Sequence, residues 1–180
     1  MAPSPFLNLV LNPLRVLPVV LTLLLLTACG PVAPSASPTA TLPTETLTLN
    51  GRALTVELAL DPSSREQGLS DRDALADDRG MLFVFPRERH LAFVMRRCHF
   101  DIDIAFIDAS GEVVATHQML VEPPETDERD LTQYSSHQPA LMALELNAGG
   151  LERYGLTPGV RLDLPVLSLK RRARQRPSIW

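Results

Sequence analysis

LAFVMRRCHFDIDIAFI, residues 91–107, is the stretch whose reading decides the fold. Sorted by alternation, Val94, Cys98, Phe100, Ile102, Ile104 and Phe106 share one face, with Arg96 out of pattern. Phe93, Met95, Arg97, His99, Asp101, Asp103 and Ala105 share the other. Successive strand side chains point to opposite sides, so one apolar and one mixed face predict a strand in a sheet packed on a single side. The stretch is long for one strand, and the pattern admits a break near Arg97. Asp108-Ala109-Ser110-Gly111 then predicts a turn, with residues 112–119 returning as the hairpin partner.

Working outward, residues 46–50 and 53–60 flank Asn50-Gly51, a tight-turn pair that predicts a hairpin. Leu54, Val56, Leu58 and Leu60 form its apolar face. Residues 61–69 predict a short helix: Asp61 or Ser63 caps it, Pro62 suits its first turn and Gly68 ends it. Residues 71–79 are polar and predict a loop or second short turn. Residues 81–85 predict a buried strand ending at Pro86. Residues 122–138, acidic and proline-bearing without apolar period, predict an irregular surface loop. Residues 141–146 predict a strand, 151–154 a helical turn stopped by Gly155, and 160–164 a last strand continuing toward Leu169. About seven strands and two or three short helices follow, hence a mostly β fold, a compact β-sandwich or barrel-like domain.

The amino-terminal side carries a different signal. Residues 16–28 are apolar apart from Thr22 and Thr27 and contain Pro18, with Arg15 before them. This suits a signal-peptide core and falls short of the roughly 20 residues a bilayer span needs. Leu26-Thr27-Ala28-Cys29 closes the run as a lipoprotein signal would, with small residues before a cysteine that takes the lipid. The expectation is a signal peptide over residues 1–28 and a membrane-lipid partner through Cys29, durable only with two or more acyl chains. An uncleaved signal anchor with an incidental cysteine is the plainer alternative. Gly30 in place of Asp after that cysteine favours an outer over an inner membrane. Residues 29–44 are rich in Pro, Ser and Thr and predict a tether lifting the domain off the surface. The expected location is the bacterial cell envelope, the domain facing periplasm or exterior.

Charge is segregated. Residues 29–169 hold 11 Arg/Lys against 21 Asp/Glu, net −10, while the basic tail, residues 170–180, adds +5. An acidic body argues against a nucleic-acid partner. The tail suits anionic headgroups, contact with its own acidic domain, or a solvated terminus. With Cys29 lipidated, Cys98 is the one remaining cysteine, so the domain folds without an internal disulfide and its thiol is best tolerated buried. Asp101, Asp103 and His99 on one strand face suggest hard-metal or proton-transfer chemistry. Exposed acids on strands are common, however, and neither a metal nor a cofactor is expected. His90, His117 and His137 fall in separate segments. No HExxH, Gly-x-Ser-x-Gly or phosphate-cradling glycine pattern occurs.

A set of motifs in order narrows the reading. Glu66-Gln67-Gly68-Leu69, Gly80-Met81-Leu82-Phe83-Val84-Phe85, Phe93 to Met95, and Asp103-Ile104-Ala105-Phe106-Ile107-Asp108 with Gly111 come first. Tyr134-Ser135, Pro139-Ala140, Leu144-Glu145, Asn147-Ala148-Gly149 and Gly155-Leu156 with Gly159 follow. Together they resemble the domain of unknown function 192 (DUF192) family over residues 54–164. The resemblance implies a compact, mostly β domain over residues 45–169, often behind a lipoprotein leader, with no established activity. The family's aromatic-Trp-Met-Lys-Asn-Thr stretch reads Phe93-Val94-Met95-Arg96-Arg97-Cys98 here. Asp101 replaces a proline and Ser70 a methionine.

The candidate polar site comprises Arg65, Glu66, Arg97, His99, Asp101, Asp103, Tyr134 and Glu145. The plainer reading of Asp103 and Glu145 is architectural, as acceptors for turns or arginines. The functional expectation is a lipid-anchored, non-enzymatic binding or accessory domain whose partner is a small ligand or an envelope protein. The alternative is a periplasmic hydrolase using Asp103 and Glu145 as paired carboxylates.

Overall fold

The computed structural model describes residues 41–176. The signal peptide, Cys29, most of the tether and the last four residues lie outside them. Strands β1 (Thr44–Leu49) and β2 (Arg52–Ala59) form the hairpin around Asn50-Gly51, both of which take positive φ. Helix α1 (Pro62–Gln67) starts with Asp61 accepting from the Ser64 amide at 2.9 Å in a capping box and ends at Gly68. Then come β3 (Arg79–Phe93), β4 (Ile102–Ile107), β5 (Val113–Met119) and β6 (Tyr134–Asn147), followed by helices α2 (Gly150–Tyr154) and α3 (Val166–Arg174). The six strands make one mixed sheet in the order β1-β2-β3-β6-β4-β5, parallel only between β2 and β3. The fold is therefore mostly β, and the sheet is not a closed barrel.

Both faces of this sheet are buried, a correction to the single-sided packing drawn from residues 91–107. All six β4 residues are buried. Leu58, Leu82, Leu144 and Ala105 lie in one row across β2, β3, β6 and β4, within a core covered by α2, α3 and the chain around Leu156 and Leu162. The neighbouring row, Glu57, Met81, Glu145, Ile104 and His117, faces the opposite way. There Met81, Phe83, Ile104 and Phe106 pack with Leu69, Leu75, Leu91 and Met95. Asp103 and Ala105, the mixed face, are buried because α2 roofs them.

Other departures have local causes. β3 does not stop at Pro86; it runs on to Phe93, because the β3–β6 register shifts between Val84 and Arg89, where a missing N–H breaks no ladder bond. Residues 91–107 are two strands, and the separating segment carries Arg97 at φ 50. The loop expected to reach residue 138 ends at Tyr134. At the second register shift the Ser136 hydroxyl accepts the Leu91 amide at 3.0 Å and donates to the Gln138 carbonyl at 2.6 Å. The seventh strand is reduced to a bridge between Glu112 and Arg161. Beyond Pro165 the chain turns helical, and residues 170–174 belong to α3 rather than to a separate tail. Leu169 and Ala173, four apart, bury its inner side. Arg172 hydrogen-bonds Glu45, and the Arg174 Nε donates to the Pro86 carbonyl at 3.0 Å.

No helix among the described residues is long and apolar enough to cross a membrane.

Candidate functional site

Where α1 ends, the chain packs across β3 and leaves a cavity of about 240 Å³. Phe83, Phe85 and Phe93 wall it, Gly68 to Ser70 and Val94 edge it, and Glu145 and Cys98 reach into its lining. Glu145 reaches it because β6 places this carboxyl on the Met81–Ile104 face, among apolar neighbours. The residue is 5% exposed and its Oε2 has no hydrogen-bond partner among the described residues. Burial pushes its pKa up to about 8, with the Arg72 charge pulling weakly the other way. The group is thus mostly a neutral acid near pH 7, able to donate one hydrogen bond and accept another.

The rim is clasped by backbone. The Ser70 hydroxyl donates to the Arg96 carbonyl at 2.8 Å, and the Asp71 amide donates to the Arg97 carbonyl at 2.8 Å. Asp71 and Arg97 both hold positive φ, a conformation non-glycine residues adopt at a cost of roughly 1–2 kcal/mol. The Arg97 guanidinium donates to the Asp71 carboxylate at 2.9 Å, which lowers that carboxyl's pKa. Arg65 crosses the rim, donating to the carbonyls of Leu60 at 2.8 Å and Val84 at 3.0 Å, with its guanidinium 5.0 Å from the centre of the Phe85 ring. Burial pushes the Cys98 thiol up to about 11, with the Glu145 and Asp71 charges adding to it. A second cavity of about 450 Å³ shares Arg96 and Cys98 with the first and opens between Asp71, Arg97, His99 and the chain from Val121 to Leu131.

The eight candidate residues therefore separate. Arg65, Glu66 and Glu145 line the first cavity, Arg97 and His99 the second. Asp101 lies outside both and accepts the Val121 amide at 2.8 Å. The Tyr134 hydroxyl accepts the Leu120 amide at 3.3 Å. Asp103 is 1% exposed and accepts the Leu151 amide at 3.0 Å, serving the first turn of α2. Asp103 pairs with Leu146 and Ile104 with Glu145, so the two carboxylates point to opposite faces of the sheet. They cannot act as an acid–base pair on one substrate. Among the described residues no group of three or more His, Cys, Asp and Glu is placed to hold a metal ion.

Residues 45–164 match the family described as uncharacterised ACR, DUF192. The chain belongs to the DUF192 family. A solved structure from Sinorhizobium meliloti, described as a candidate transcription regulator, is 39% identical with a TM-score of 0.56, covering 67% of this chain and 90% of that one. A protein of unknown function from Novosphingobium aromaticivorans DSM 12444 is 27% identical with a TM-score of 0.58, covering 73% and 93%. No curated protein matches. In this DUF192 domain Ser70, Val94 and Cys98 line the first cavity, and Arg97 lines the second. The site residues that sequence reasoning passed over, Phe83, Phe85 and Phe93 among them, were readable only as apolar strand residues.

Proposed function

We propose that this DUF192 protein is a lipid-anchored envelope domain that binds a small ligand in the cavity between α1 and β3. The observation that carries the binding role is the unpartnered Glu145 Oε2 at an aromatic-walled cavity. Three phenylalanine rings offer apolar surface, and a neutral buried acid offers a donor to a ligand carbonyl, carboxylate or hydroxyl oxygen. Leaving such an atom unsatisfied costs roughly 1–3 kcal/mol, which a ligand of that class recovers. The Leu26-Thr27-Ala28-Cys29 signal supports the anchor and the envelope location. A DNA-directed role, suggested by the name of the Sinorhizobium relative, finds no support in a body of net −10.

A thermal-shift screen of the processed chain with small carboxylic acids, amides and sugars tests the binding role. Compounds that raise the melting temperature should lose their effect in Val94→Trp, which fills the cavity, and in Glu145→Leu, which removes the donor. A screen without hits, or hits indifferent to both substitutions, refutes it. Fatty-acid labelling tests the anchor: Cys29→Ser should abolish it.

A further inference from the structure

Resting on the lipid-anchor reading, we propose that the outer side of α3 is the surface this domain lays against an anionic phospholipid bilayer. Three placements within the domain converge on it. First, Leu169 and Ala173 hold the inner side of α3 to the sheet, leaving Leu167, Arg171 and Arg174 along the opposite stripe at i, i+4 and i+7. Leu167 is 79% exposed, a large apolar side chain at the start of a basic helix. Second, the bond from Arg174 to the Pro86 carbonyl fixes the last turn of α3 against β3. Glu88 of β3 has its carboxylate engaged, accepting the Ala109 amide at 2.9 Å. Third, the bond between Arg172 and Glu45 holds the second residue of β1 against α3. The chain arriving from Cys29 therefore enters the domain beside this helix.

The charge distribution then decides the orientation. Residues 170–180 carry five cations and no carboxylate, whereas residues 29–169 carry net −10. Near an anionic surface the acidic body is repelled and the α3 end attracted, so the domain's own field turns this side inward. Guanidinium groups match headgroup phosphates in geometry, and Leu167 enters the headgroup boundary as the apolar residue of an interfacial helix does. The Glu145 cavity belongs to the other face of the sheet. Its mouth is then left toward solvent and ligand.

Brominated phospholipids, which quench tryptophan on contact, provide the test. The processed chain carrying Trp180→Phe and Leu167→Trp is reconstituted in brominated phosphatidylcholine vesicles with or without phosphatidylglycerol. The expected result is quenching several-fold stronger with phosphatidylglycerol, lost when Lys170→Glu and Arg171→Glu are combined. The same probe at Thr132→Trp, in the loop lining the second cavity, should stay unquenched. Equal quenching in both vesicles, none at residue 167, or quenching at residue 132 overturns the proposal. Circular dichroism of each variant confirms that the fold is kept. The mass of the purified chain reports acylation separately. An acylated chain without quenching at 167 sinks the orientation alone. A chain without fatty acid sinks the anchor, and vesicles added to it still test the α3 surface.

Discussion

Asp103 and Glu145 sit on adjacent strands one register step apart and face opposite cores. That single step separates their roles. Asp103 closes a helix turn, its carboxylate taking the Leu151 amide that Gly149, with no side chain, leaves uncapped. The buried Glu145 Oε2 has no such partner among the described residues and borders a cavity.

Removing the Asp103 acceptor should therefore cost stability and leave cavity binding alone. Asp103→Ala strands a partly buried amide and should lower the unfolding free energy by about 1–3 kcal/mol. Asp103→Asn keeps an amide oxygen and should lose less. Urea midpoints at constant slope check both. A ligand identified by thermal shift should bind the two variants as it binds the wild type.

Glu145 gives a pH dependence whose sign is set by burial. Its pKa is about 8 in the folded chain, above its ordinary value of 4.5, so between these limits the native state holds a proton the unfolded state has lost. Stability is then greatest below about pH 4.5 as far as this group is concerned, and it falls as pH rises through 8. The slope is at most about 1.4 kcal/mol per pH unit. The charge that acts there is Arg72, paired with Glu57 at 2.7 and 2.8 Å. Glu145→Gln should flatten the slope in the wild-type minus variant difference. Arg72→Leu, which removes a charge that lowers the Glu145 pKa, should move the window upward.

Much of the local structure was legible because its causes are local. Asn50-Gly51 encodes its hairpin, and Asp61, Pro62 and Gly68 encode the start and stop of α1. Alternation found β4 and the β4–β5 hairpin. What stayed hidden depends on partners distant in sequence. Pro86 reads as a terminator until the β3–β6 register shift accommodates it, and residues 160–169 read as a last strand with a basic tail from 170 until Leu169 and Ala173 find the sheet. Arg65, Glu66 and Glu145 do converge on one cavity. The distribution of Asp103 and Glu145 over two faces required the β4–β6 register, which neither strand states alone. A carboxylate inside ALMALEL, residues 140–146, was the one local hint of a buried acid.

Gly111 should be the least tolerant turn position. Its φ is 87, and a Cβ there would lie 2.8 Å from the Leu162 carbonyl oxygen. Gly111 also donates its amide to Asp108 at 3.2 Å and accepts the Leu162 amide at 2.8 Å, joining the β4–β5 turn to the chain that covers the α3-side core. Gly111→Ala combines left-handed strain with a backbone clash and should cost more than about 1 kcal/mol. Gly159→Ala, also at positive φ but with no atom within 4 Å of the added carbon, should cost less. Comparing their thermal midpoints separates the clash from the strain.

Cys98 should report the closed state of the cavity through its reactivity. Burial, then the charges of Glu145 and Asp71, push its thiol from the ordinary 9.0 up to about 11. Two pKa units reduce the thiolate population near neutral pH about a hundredfold. The more basic thiolate is the better nucleophile, which restores roughly tenfold. Native alkylation by iodoacetamide should therefore run at least about tenfold slower than in urea, and slower still where the half-buried sulfur is shielded. At pH 9, where Glu145 with its pKa of about 8 is ionised, Glu145→Gln removes one of the charges opposing the thiolate and should speed the native reaction, whereas Asp103→Asn, on the other side of the sheet, should leave it unchanged. Peptide mapping assigns the label to Cys98 rather than Cys29. A native rate equal to the unfolded one would show the sulfur to be freely exposed, and equal rates in the two variants would show that Glu145 and Cys98 do not share an environment.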